Sequence, residues 1–392
     1  MPKDGHPTDA RPEPRIAVIV PCYDEEVAGA RWWPSCWRPC PGPRCSLVKN
    51  VGDCPSQARH GGLLRKENSV PDKVAVVGTG GIGTRHLQAI VQSQRALSVF
   101  AVDPADGARD VAQRALEQVP RGRAVTVEFL NRLDALPAEL DVVIVATSSL
   151  TRRQVVAELL AHSHIRYLVL EKFLFPRVDD YAAVQQLVDE QATPTWVNCP
   201  RRMNAFYGWL RDVCATETID GFSVEGTDWG LGCNGVHLID LLCFLTGSSK
   251  GLAFDPAGLT PGCTDSKRAG YIEFLGTLSG RADACRQITL TSGSGTPSPI
   301  LIALQGPEFR CEISEGQGVA KLNRASDSEE RTFSLAPQSQ LSGTLVQTLL
   351  DTGTCQLTSL SESTSLHLPL LQAFLQHLNT AQETRTEICP IT

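Results

Sequence analysis

The sequence predicts an α/β protein: a doubly wound parallel sheet, then an α+β domain with a largely antiparallel sheet, behind a poorly ordered N-terminal extension. Three observations predict it. From Lys73 onward, short apolar runs alternate with helical patterns, as they do where helices cover both faces of a parallel sheet. After about Gly221, strand signals follow one another with only short turns between them. Before residue 72 the chain is rich in Pro and Cys, and apolar periodicity is missing after Val20.

In the parallel part, strands are expected over 73–77, 99–102, 125–129, 142–146 and 167–170. Helices are expected from the glycines after Val77 through Ile90, then over 108–118, 152–161 and 181–191. In the second part, strands are expected over 271–278, 287–291, 300–304, 309–313 and 319–323. A final helix is expected from Pro369, since proline suits a first turn, to about Leu378. It places Leu371, Phe374, Leu375 and Leu378 on one face. The division expected is 1–71 extension, 72–195 dinucleotide-binding domain and 196–392 substrate and oligomerisation domain, the last helix returning to the first domain.

Composition narrows the function. Of 392 residues, 42% are hydrophobic and 20% charged, an ordinary globular balance. Lys plus Arg is 36 against Asp plus Glu 43, so the net charge of −7 gives no basic footprint for a nucleic-acid backbone. No apolar run reaches the roughly 20 residues that a bilayer span needs. The 14 Cys are scattered without a CxxC pair, which fits a reducing, cytoplasmic compartment better than a disulfide framework. Cys36, Cys40 and Cys45 with His60 match no zinc spacing, and no metal is expected.

The string Gly78-Thr79-Gly80-Gly81-Ile82-Gly83 fits GxGxxG, and its context fits too: a strand precedes it, a helix follows, and Asp103 closes the next strand. The first glycine permits the tight turn, the second admits a pyrophosphate and the third allows close helix–strand packing. The helix N-terminus would then face the phosphate charge. Asp103 can accept hydrogen bonds from the adenosine ribose and would repel a 2′-phosphate. The reading is a Rossmann-type domain that binds NAD in preference to NADP.

Four further landmarks follow in order: Ala146-Thr147-Ser148-Ser149, Glu171-Lys172, Asn198-Cys199-Pro200-Arg201, and the run from Gly232 through Cys233, Asn234 and His237 to Asp240. Together with the order of the two sheets, these motifs resemble the Gfo/Idh/MocA family of NAD(P)-dependent sugar and polyol oxidoreductases, over 72–392. The resemblance implies that Lys172 hydrogen-bonds a substrate hydroxyl and that His237 is the general base, neutral imidazole being suited to that task. It implies Glu171, Thr147 and Ser148 near the cofactor, and Asn198, Arg201, Asn234 and Asp240 near the substrate. It also implies a homodimer or homotetramer, with a sugar, nucleotide-sugar or polyol as substrate. Two departures stand out. Phe173 follows Lys172 where the family often has Pro, and Cys233 lies four residues before His237 where many members have Asp. The second opens an alternative, a non-catalytic NAD-binding protein on the same scaffold.

Within the extension, the run from Arg15 to Glu26 resembles the opening strand and loop of family 2 glycosyltransferases. No complete nucleotide-sugar fold fits before residue 72, so this stretch is expected to carry no activity.

Overall fold

The computed structural model describes residues 70–380 and 385–392. The run from Arg15 to Glu26 and the cysteines up to Cys54 lie outside the described residues.

The first part of the chain runs β1 (Asp72–Val77), α1 (Gly81–Ile90), β2 (Leu97–Val102), α2 (Asp106–Leu116), β3 (Val125–Leu130), β4 (Glu139–Val145), α3 (Ser149–His162), β5 (His164–Leu170), α4 (Asp179–Glu190) and β6 (Thr195–Val197). The second runs α5 (Ala205–Cys214), β7 (Gly221–Thr227), α6 (Leu231–Thr246), β8 (Ala253–Asp255), β9 (Thr264–Asp265), β10 (Ile272–Glu273), β11 (Gly276–Ala282), β12 (Cys285–Gly293), β13 (Ser298–Gln305), β14 (Phe309–Ser314), β15 (Val319–Arg324) and β16 (Ser328–Thr332). It closes with α7 (Gln338–Thr352), β17 (Thr358–Ser359) and α8 (Leu360–Thr380). Among the described residues, no helix is long and apolar enough to cross a membrane.

The first sheet has the order β3-β2-β1-β4-β5-β6-β17, parallel throughout except for the antiparallel edge strand β17. Its strands are apolar at consecutive positions because both faces are covered. Val74, Val76, Val142 and Ile144 feed a core shared with α1, α2 and α7. The alternate residues Ala75, Val77, Val143 and Val145 feed the opposite core, shared with α3 and α4. That second core continues without a break through Val236 of α6 and Phe374 of α8 to Ile288, Ile302 and Ile313 of the second sheet. Each fully buried aliphatic side chain there contributes roughly 1.5–3 kcal/mol.

The second sheet has eight strands, β16-β15-β14-β13-β7-β12-β11-β8, and only the β7–β12 pair is parallel. The strand expected over 271–278 is divided, β11 beginning at Gly276 with φ +95°. The final helix differs more. α8 starts at Leu360 and holds Pro369 in its interior. Proline there leaves the Ser365 carbonyl without its helical donor, but Ser365 is exposed, so water can take that bond. Leu360, Leu366, Leu370 and Phe374 are all buried and hold both halves of the helix to the same core.

Candidate active site between the two sheets

The cleft lies at the carboxyl ends of β1, β4, β5 and β6, where the strand order reverses and open α/β sheets bind ligands. Each loop leaves its strand in register. Gly78 N donates to Val102 O (2.7 Å), Ala146 N to Val77 O (2.7 Å), Glu171 N to Val145 O (3.0 Å) and Asn198 N to Leu170 O (2.8 Å). The ladder therefore continues one residue past each strand, which fixes where the next side chains point. The cavity has a volume of about 490 Å³. Gly81, Ile82, Thr147, Glu171, Lys172, Asn198 and Arg201 line one side, and Cys233, Asn234 and His237 of α6 line the other.

The glycine turn fits a dinucleotide. Gly78 has φ +93°, a left-handed conformation that favours glycine. A Cβ on Gly83 would run into the Gly78 carbonyl, whereas Gly80 and Gly81 have open space where a side chain would stand. No side chain caps α1, so its first amides are available to an anion. The buried Thr79 and Thr147 hydroxyls have no hydrogen-bond partner among the described residues, and both flank this turn. Asp103 accepts from Thr79 N (2.8 Å) and Ala105 N (3.0 Å), which aims its carboxylate at the turn. Ser148 precedes α3 and meets Thr151 (3.4 Å). It does not line the cavity, and neither do Gly78, Gly80, Gly83 or Asp103.

Lys172 Nζ donates to the Cys233 carbonyl (3.1 Å), which joins the β5 loop to α6 across the cleft. It also lies 3.5 Å from the Thr392 carbonyl. The Lys172–Phe173 peptide is cis. Arg152 of α3 clamps this turn, donating to the Leu174 carbonyl (2.8 Å) and to the carbonyls of Phe173 and Thr147. Burial pulls the Arg152 guanidinium down to about 10, against the attraction of Glu171. Glu171 accepts from His86 Nε2 (2.9 Å) and from Asn198, while His86 Nδ1 meets Ser342 of α7 (2.7 Å). Burial would raise the Glu171 carboxyl, but the bonds from His86 and Asn198 hold it below its usual range and therefore ionised.

On α6, Cys233, Asn234 and His237 share the cleft face. Burial first, then the charges of Lys172 and Arg201 and the neighbouring His367, hold the His237 imidazole well below its usual value. It is neutral at physiological pH and has a lone pair to accept a proton. Glu273 of β10 caps the helix, accepting from Gly232 N (2.6 Å) and Cys233 N (3.2 Å). Burial and then the Glu273 charge push the Cys233 thiol up, so it stays protonated. Asn234 donates to the Trp229 carbonyl (2.7 Å).

Two expected substrate contacts have protein partners here. Arg201 makes a two-point ion pair with Glu315 (2.8 and 2.7 Å), and both residues line the cavity. Asp240 does not line it. Fully buried, Asp240 accepts from Arg202 (2.8 Å) and Thr358, one turn of α6 behind the cleft. The residues that sequence reasoning missed are His86, Arg152, Glu273, Glu315 and Ser342. A lone histidine or glutamate carries no local signal of a partner a hundred residues away.

A Rossmann-type parallel sheet is joined to a second, largely antiparallel sheet, with a lysine and a histidine facing each other across the cleft. Residues 73–199 match the Gfo/Idh/MocA family, described as the oxidoreductase family with an NAD-binding Rossmann fold. No curated relative matches the sequence. Solved structures share the fold. An oxidoreductase from Agrobacterium radiobacter in complex with NAD+, L-tartaric acid and magnesium is 14% identical, with a TM-score of 0.60 over 80% of this chain and 98% of that one. A UDP-N-acetylglucosamine 3-dehydrogenase from Acidithiobacillus ferrooxidans is 14% identical, with a TM-score of 0.60 over 80% and 100%. The transcriptional regulator Gal80p from Kluyveromyces lactis is 16% identical, with a TM-score of 0.61 over 80% and 91%.

Proposed function

We propose that this chain is an NAD-dependent oxidoreductase acting on the hydroxyl or carbonyl carbon of a sugar, nucleotide-sugar or polyol. The observation that carries the reading is the convergence of Lys172 and His237 on one cleft that also reaches Gly81 and Ile82 at the α1 N-terminus. With the dinucleotide held at the glycine turn, its nicotinamide would supply the hydride acceptor or donor. The α1 amides would hold the pyrophosphate, and Asp103 would hold the adenosine ribose and disfavour a 2′-phosphate. In the oxidative direction, Lys172 Nζ would donate a hydrogen bond to the reacting oxygen. His237 would take the hydroxyl proton as the carbon–oxygen double bond forms. Glu171, anchored by His86 and Asn198, would keep the nicotinamide ribose in place.

The test is a panel of sugars, nucleotide-sugars and polyols assayed for NADH formation, with His237→Ala and Lys172→Ala as controls. Each variant should lose roughly 10²–10⁴-fold in turnover while keeping its NAD affinity. The second reading, a non-catalytic NAD-binding protein, is favoured by the neutral Cys233 thiol at the mouth of α6 and by the likeness to a transcriptional regulator. It predicts NAD binding without turnover on any member of the panel. Assembly as a homodimer or homotetramer through the outer face of the second sheet belongs to the same proposal, and light scattering tests it.

A further inference from the structure

Two buried imidazole nitrogens stand without a hydrogen-bond partner among the described residues: Nδ1 of His237 and Nε2 of His367. Buried polar groups are almost always satisfied, so these two exceptions call for a physical explanation. The two rings sit on neighbouring helices, His237 on the cleft face of α6 and His367 inside α8, which packs against α6. His367 is fully buried, and its ring meets the edge of Phe173, the residue after Lys172, with ring centroids 4.7 Å apart.

The chemistry of His367 is decided by its other nitrogen. Nδ1 lies 2.8 Å from the Ser363 carbonyl and 3.1 Å from the Ser363 hydroxyl. A carbonyl oxygen can only accept, so Nδ1 carries the proton. Burial, with Arg152 and Lys172 nearby, keeps the ring from taking a second one. Nε2 of His367 is therefore a buried lone-pair acceptor. His237 needs the complementary partner. To accept a proton from the cleft through Nε2, it must carry its own hydrogen on Nδ1, and the tautomer of an imidazole is set by the bond its second nitrogen makes.

We propose that His367 is a positioning residue for His237: one buried water accepts from His237 Nδ1–H and donates to His367 Nε2, which fixes the tautomer that presents the Nε2 lone pair to the cleft. Ser363, His367, the water and His237 then form one directional chain from the α8 backbone to the site. A water with two such partners meets the usual requirement for a stable buried site. The charged and titratable groups that bear on the two rings are Lys172 and Arg201 for His237, and Arg152 and Lys172 for His367. This inference rests on the reading of His237 as the base, but its test does not need turnover.

The experiment is ¹⁵N NMR of the imidazole nitrogens in the full chain, which reads the tautomer of each histidine directly. Wild type should show His237 protonated on Nδ1. His367→Leu removes the acceptor and should shift His237 toward the Nε2–H form. His367→Gln keeps an acceptor oxygen and should retain much of the wild-type tautomer. In the kinetic arm, His367→Leu should lower kcat by roughly tenfold or more with KM and NAD affinity little changed, and His367→Gln should recover much of the loss. An Nε2–H tautomer of His237 in wild type, or a tautomer unchanged in His367→Leu, would overturn the proposal. If His367→Leu does not fold, the wild-type and His367→Gln spectra still decide it. A wild-type chain with the Nδ1–H tautomer but no turnover would sink the oxidoreductase reading and leave this one standing.

Discussion

Replacing Asp240 with alanine separates a structural role from a substrate-binding one. Asp240 is fully buried and ties three elements together. Its Oδ2 accepts from Arg202 Nε (2.8 Å), its Oδ1 from Thr358 of β17, and Arg202 reaches on to Glu362 of α8 (3.0 Å). Removing one partner of a buried pair costs about 3–5 kcal/mol, because the other charge is left uncompensated. Arg202 keeps Glu362, which is 39% exposed, so the lower end of that range applies. At roughly 2 °C per kcal/mol for a chain of this size, Asp240→Ala should melt about 6 °C below wild type. NAD affinity and substrate KM should hold, since the side chain does not line the cleft. Differential scanning calorimetry and steady-state kinetics make the test. An unchanged melting temperature with a raised KM would place Asp240 on the substrate and refute the reasoning.

Other substitutions probe the cofactor half, the acid response and the thiol. Gly83→Ala puts a methyl group against the Gly78 carbonyl, so calorimetric titration should show NAD affinity reduced by roughly tenfold or more. Wild type should prefer NAD to NADP by at least about tenfold, and Asp103→Ala should erase that preference; equal affinities in wild type would sink the carboxylate argument. His367 is held down to about 3 when folded, while the unfolded chain takes the proton near 6.5. Below that value the unfolded state binds more protons, so stability falls with pH by up to about 1.4 kcal/mol per unit until the folded value is reached. His367→Leu should flatten that slope by about one proton between about pH 6 and 4, and parallel urea curves for the two proteins would show the ring is not neutral in the fold. Cys233→Asp sets a second carboxylate beside buried Glu273, and it should lower the melting temperature without raising turnover.

What the sequence made legible is what repeats locally. The apolar runs of β1, β4 and β5 read as strands because both faces are buried, and the glycine turn with Asp103 reads as a nucleotide site because its spacing is covalent. Lys172 and His237 were legible only as members of an ordered set of motifs. Asp240 shows where that reading stops. It lies three residues after His237, close enough in helical angle to be grouped with it, but the small rotation turns it onto Arg202 instead of the cleft. α7 escaped notice because its stripe of Leu345, Val346 and Leu349 is interrupted by Ser and Thr, and Ser342 faces His86 rather than a core. The first half of α8 was hidden in the same way by its serines, and Pro369 looked like a beginning. The partners His86–Glu171 and Arg201–Glu315 join segments far apart in the chain, which no local pattern encodes.

The unbroken core that runs from β4 through α6 and α8 to the second sheet has a mechanical consequence. Jaws that swing about a hinge need a seam where few apolar side chains must part. Here the seam is filled by Val236, Phe374 and their neighbours, so opening the cleft by rigid rotation would expose interior on both sides. The site is better pictured as a notch cut into one solid body, and entry and exit depend on what moves at its rim.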